Sequence, residues 1–121
     1  HNIGSVDSIG TVVFLAGDRR YASPHTTFLF HGVETRFRKD ASLTLSKMDE
    51  LRSSLSEDQN KIAGIIASST TITEEEIKQL FAQGESKPLE FVLSKGFINE
   101  VREIKIPFGE IIVSVNFQVQ R

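Results

Sequence analysis

A chain of 121 residues, 39% hydrophobic and 25% charged, is long enough to bury one core and ordinary for a single soluble globular domain. A formal net charge of -2 excludes a general nucleic-acid binder, which needs a surplus of Lys and Arg on one face; the short cluster Arg36, Arg38, Lys39 reads as solvated surface. The absence of cysteine excludes disulfides, thiolate nucleophiles and thiolate metal sites, and fits the cytoplasm.

The first ten residues crowd Gly4, Asp7, Ser8 and Gly10 together with no preceding strand in view. Sites of α/β proteins sit at the carboxyl ends of strands, so the chain reads as beginning partway through a domain. His1-Asn2-Ile3-Gly4 lacks the basic and apolar regions of a signal peptide. No apolar run approaches the ~20 residues that span a bilayer, so no membrane partner is expected.

Residues 8–16 form an apolar run closed by Gly17. Ser8 as N-cap and Gly17 just past the end favour a short buried helix. Beyond the polar turn Asp18-Arg19-Arg20, the stretches 21–23 and 26–31 read as short strands broken at Pro24, which cannot donate to a ladder. From Asp40 to about Ser68, Met48, Leu51, Leu55, Ile62, Ile65 and Ile66 recur at helical steps and predict one long helix. Thr73 with Glu76 makes a capping box, Ile72 can staple onto Ile77, and the helix they open should end near Gly84. A shorter helix is predicted from about Lys87 to Lys95, with Ser86 as its cap and Gly96 as its stop. Val101, Ile104 and Ile106 then lead into a turn at Pro107-Phe108-Gly109-Glu110. Alternation from Ile111 to Val119 predicts a strand, giving a terminal β-hairpin. No repeat, low-complexity segment or interdomain linker divides the chain, so residues 1–121 read as a single domain.

Few residues offer chemistry. Ser8 lies where a turn meets a helix start: it is either a plain cap or a nucleophile beside the free N–H of Ile9, which could form half of an oxyanion hole. Gly10 keeps the surface beside it small, as in nucleophile elbows of other folds. His31 ends the apolar run Phe28-Leu29-Phe30 and is either a satisfied histidine at the sheet's rim or a general base. His1 and His25 have no metal spacing with each other or with His31, so no metal or other cofactor is expected. Glu74, Glu75 and Glu76 suit the start of their helix and need no catalytic role.

Taken in order, Gly4-Ser5-Val6-Asp7-Ser8-Ile9-Gly10, Ala16-Gly17, residues 21–26 and Phe28-Leu29-Phe30-His31 resemble the proteolytic subunit of the Clp protease family. That family carries Gly-x-Ala-x-Ser-Met-Gly, an Ala-Gly closing the helix, a Pro-x-Ser run and an apolar strand ending in the catalytic His. Leu93-Ser94-Lys95-Gly96-Phe97-Ile98-Asn99 is similar to the family's Ala-x-x-Tyr-Gly-Leu-Val-Asp ending. The resemblance implies an α/β fold of the ClpP/crotonase type, built from stacked ββα units, and a serine-type endopeptidase acting through an acyl-enzyme. Ser8 would attack, His31 would take its proton and the Ile9 N–H would bind the oxyanion. A polypeptide substrate, assembly of several copies and an AAA+ ATPase partner are implied with it; a cofactor is not.

This sequence departs from the family in places. Counting back from Gly96, the position of the family's catalytic Asp is held by Gly84, beside Glu85, whose carboxylate is a weak stand-in. The Gln-Pro-x-Gly-Gly stretch after the His is reduced to Gly32-Val33-Glu34. The Gly-Gly loop that gives the family its second oxyanion donor has no counterpart here, and the strand Ile111–Val119 has none in the family core. Alternative readings are a catalytically impaired subunit serving as an interaction or assembly module, and acyl-CoA chemistry on a crotonase-like fold. The joint presence of Ser8 and His31 counts against the last.

Overall fold

A computed structural model of the chain describes residues 1–105, 108 and 109, and the terminal hairpin expected from the sequence lies outside the described residues. Strands β1 (Ser5–Asp7), β2 (Tyr21–Ala22), β3 (Thr27–Leu29), β4 (Ser86–Lys87) and β5 (Glu100–Val101) and helices α1 (Gly10–Leu15), α2 (Leu45–Ser69), α3 (Glu74–Gln83) and α4 (Leu89–Ser94) follow in the order β1-α1-β2-β3-α2-α3-β4-α4-β5. Strand and helix mix along one chain, an α/β architecture. Three strands form one sheet in the order β1-β3-β4, and β2 pairs with β5 in a second. The β1–β3 pair is parallel, with Val6 opposite Phe28 and Asp7 opposite Leu29. Parallel neighbours need a crossover, and α1 lies within it.

Two strands, β1 and β4, were not visible in the sequence. β1 precedes Ser8 directly, so the serine stands at a strand's carboxyl end. Buried Asn2 stitches this edge together: its amide donates to the Thr27 carbonyl (3.0 Å) and accepts from Gly4 N–H (2.9 Å). With only Val6 turned partly inward, β1 is too short to announce itself by alternation.

The core runs from Leu15 and Phe28 through Ala63, Ile66, Ile77 and Phe81 to Val92 and Phe97. Phe97 is its hub, with ring centroids 5.3 Å from Phe28, 5.4 Å from Phe30 and 5.9 Å from Phe14. Two of these contacts are edge-on, the arrangement aromatic quadrupoles favour.

Arg20 ties three helix ends to this hub. Its guanidinium donates to the carbonyls of Gly17, Ser69, Gly96 and Phe97, at 2.8 to 3.3 Å. These groups lie just beyond α1, at the last residue of α2 and just beyond α4, where unpaired carbonyls favour a cation. The polar turn read at residues 18–20 thus contributes a structural clamp.

Helix α3 begins as its sequence dictates. The Glu76 N–H donates to Thr73 Oγ1, the Glu76 carboxylate accepts from the Thr73 N–H, and Ile72 and Ile77 are both buried. Gly84 ends it at φ 61° and Gly96 follows α4 at φ 69°, left-handed positions that suit glycine.

Other boundaries move. α2 starts at Leu45 rather than Asp40, because the Thr44 hydroxyl accepts from the Lys47 N–H and caps it there. Ser86 caps nothing: it pairs with Leu29 in β4, and α4 opens after Pro88 instead. The apolar stripe of α2 is buried only toward its end, at Ala63 and Ile66, while Leu45 is 78% exposed and Met48 45%.

Candidate active site

The two parallel strands β1 and β3 end side by side, and each hands a polar residue to the same edge. Ser8 follows β1 and donates its N–H to the Leu29 carbonyl at 3.0 Å. His31 lies two residues past β3. Ser8, Ile9 and His31 line one open cavity of about 580 Å³ with Thr11, Phe30, Gly32, Val33, Ile62 and Phe81. Ligand sites of open α/β sheets lie beyond the carboxyl ends of their strands in this way.

Ser8 is not a helix cap, contrary to the plain reading of its position. It has φ 54°, a left-handed conformation, and the N-cap of α1 is Ile9, which has no side-chain capping bond. A left-handed serine costs conformational energy, and such residues persist where surrounding bonds fix them. Here the Ser8 N–H is held by Leu29, and the Ser8 carbonyl accepts both the N–H (3.0 Å) and the hydroxyl (2.6 Å) of Thr11. The sharp turn from strand to helix leaves the Ser8 side chain on the cavity wall. Among the described residues, no acceptor takes the Ile9 N–H.

His31 is half-buried, and its Nδ1 lies 2.7 Å from the Gly32 carbonyl oxygen. A carbonyl only accepts, so Nδ1 carries the proton and Nε2 keeps its lone pair in the neutral ring. Gly32 is fixed in turn, its N–H donating to the Phe81 carbonyl at the end of α3 (3.3 Å). A side chain at Gly32 would press on the Gln59 amide, 2.9 Å from where a Cβ would stand.

No carboxylate is hydrogen-bonded to His31 among the described residues. The β3–β4 pairing ends with Leu29 opposite Ser86, short of His31 and Gly84. Gly84 ends α3 in a left-handed conformation, outside the cavity lining, with open space where its side chain would be. Glu85 is exposed and pairs with Lys87 Nζ at 3.4 Å, outside the cavity lining. It is not positioned to orient His31. The acids that do reach the rim, Glu34 and Asp58, pair with Arg36 and Lys61.

Sequence reasoning missed Thr11, the Gly32 carbonyl, and the contribution of α2 through Asp58, Lys61 and Ile62. Thr11 did carry a signal, as the one polar side chain between Ile9 and Ala16; backbone carbonyls leave none. Among the described residues no cluster of His, Asp and Glu could hold a metal ion, and no helix is long and apolar enough to cross a membrane.

The comparisons with known proteins bear on this cavity. No curated protein matches the chain. The family model described as Clp protease matches residues 1–105, which include every residue lining the cavity. The match spans most of the 121 residues, and the chain belongs to the Clp protease family.

Proposed function

We propose that the chain is a serine-type endopeptidase of the Clp kind, with Ser8 as nucleophile, His31 as general base and the Ile9 N–H as one oxyanion donor. The observation that carries this reading is the left-handed Ser8 at the end of β1, sharing a cavity with His31. The Ser8 hydroxyl oxygen attacks the carbonyl carbon of a peptide bond, and its proton passes to His31 Nε2. The carbonyl π electrons move to oxygen, and the oxyanion takes the Ile9 N–H as donor. Collapse expels the amine, which receives its proton from His31, and leaves an ester on Ser8. Water, deprotonated by the same nitrogen, then hydrolyses that ester.

In a full triad a carboxylate fixes the histidine tautomer and stabilises the imidazolium. The Gly32 carbonyl supplies the first service and lacks the negative charge that the second requires. The absence, among the described residues, of a carboxylate bonded to His31 favours a second reading, an impaired subunit kept for its contacts. Under either reading the chain assembles with further copies, for which Leu45, Met48 and Ile65 offer exposed apolar surface along α2. Delivery of unfolded polypeptide by an AAA+ ATPase belongs to the first reading.

Hydrolysis of a fluorogenic peptide by the assembled protein tests the choice. Slow turnover that Ser8→Ala and His31→Ala each abolish supports the peptidase. Turnover that survives both variants, or its absence in folded wild-type protein, favours the assembly module.

A further inference from the structure

From the bonds around Ser8 we infer that Thr11 is a positioning residue for the proposed reaction: its side-chain hydroxyl aims the Ser8–Ile9 peptide so that the Ile9 N–H meets the developing oxyanion. The inference rests on the peptidase reading. Thr11 is 2% exposed, and its hydroxyl donates to the Ser8 carbonyl at 2.6 Å, beside the Thr11 N–H at 3.0 Å. That carbonyl belongs to the same planar peptide as the Ile9 N–H, and in a trans peptide the two point in opposite directions. Two donors holding the oxygen therefore fix the direction of the N–H. Accepting two bonds also polarises the peptide and strengthens its N–H as a donor.

With Thr11 only 2% exposed, water competes little for its hydroxyl. An apolar side chain of similar shape would fill the same space without holding the carbonyl. The backbone turn would still be restrained by the Thr11 N–H and by Leu29, so the fold does not depend on the hydroxyl. Its loss widens the swing of one peptide plane beside the nucleophile.

Thr11→Val and Thr11→Ser, compared with wild type on a fluorogenic peptide, separate positioning from support. Losing one oxyanion donor outright costs roughly a hundredfold or more in kcat, and misaiming one should cost about tenfold. We expect Thr11→Val to lower kcat about tenfold with KM and thermal unfolding little changed, and Thr11→Ser, which keeps the hydroxyl, to restore most of the rate. Thr11→Ala, also without the hydroxyl, should match Thr11→Val and replaces it if the valine variant does not fold. Wild-type kcat in a folded variant without the hydroxyl overturns the inference while leaving the peptidase reading intact. Equal losses in Thr11→Ser and Thr11→Val also overturn it. Inert wild-type protein, unlabelled at Ser8 by a fluorophosphonate, removes both together.

Discussion

The two sides of the cavity are built to different standards. On the nucleophile side, Ser8 is held at both ends of its backbone: its N–H by the Leu29 carbonyl, its carbonyl by two groups of Thr11. That is enough to keep a serine at φ 54°, which it would not adopt unaided. On the base side, His31 has one neutral partner, the carbonyl of its own chain neighbour Gly32, and no carboxylate bonded to it among the described residues. A strained residue held by several bonds is the pattern expected where geometry serves chemistry. Under the proposed reading, the contrast sets a firmly braced serine against a histidine with little support for proton transfer.

The largest effect should come from repairing the weaker side. Gly84→Asp restores a carboxylate at the position that matches the family's catalytic Asp; nothing lies within 4 Å of the new Cβ, and aspartate tolerates left-handed backbone better than most residues. Removing the charge of a triad aspartate costs about 10⁴ in rate, so recovering even part of it should raise peptide turnover tenfold or more. Glu85→Gln, one residue along, should leave turnover within about twofold, since an exposed ion pair of this kind contributes little. No gain from a folded Gly84→Asp would mean that this position does not face the ring, and a large loss in Glu85→Gln would make that acid the missing partner.

The nucleophile side yields a smaller, thermodynamic signal. Ser8→Gly and Ser8→Ala both remove the hydroxyl, but only glycine is at ease at positive φ. The glycine variant should be the more stable by about 1 kcal/mol in chemical denaturation. Equal stability would show that Ser8 stores no strain.

The smallest effect concerns the support under the base side. Helix α3 carries Phe81, which holds Gly32, and ends at Gly84, and the start of α3 is tied to the end of α4 by Lys95 and Glu76. The bond from Lys95 Nζ, followed by the Thr73 N–H, holds the Glu76 carboxyl below its ordinary value of 4.5. A lowered carboxyl stabilises the fold above its unfolded value, and this contribution is lost as pH falls through the folded one. Wild type and Glu76→Gln should therefore differ slightly in melting temperature near neutral pH and converge below about pH 4.5. A difference that grows in acid would contradict that sign. Glutamine keeps the capping box, so the comparison isolates the charge.

How much of this could be read from the residues differs from element to element. Thr73 with Glu76, Gly84 and Gly96 announced the ends of their helices because caps are local chemistry, settled within a turn or so of chain. Ser86 misled for the same reason: a serine before an apolar stretch resembles a cap, and only the pairing with Leu29 makes it a strand residue. Strands of two and three residues are too short to alternate, so β1 and β4 depend on partners far away in the chain. Ser8 and His31 were visible as candidates, and their order along the chain carried the family resemblance. The left-handed turn at Ser8 was not visible, since serine has no preference for it and the bonds that impose it come from Leu29 and Thr11. The Gly32 carbonyl was out of reach altogether, because every residue has one.

The central claim is that Ser8 is an assembled nucleophile activated by His31. Incubating the folded protein with a fluorophosphonate and mapping the modified residue by mass spectrometry tests it most directly. The account predicts a single adduct on Ser8, absent from Ser8→Ala and strongly slowed in His31→Ala. Folded wild-type protein that takes no label, or labels elsewhere, would contradict it.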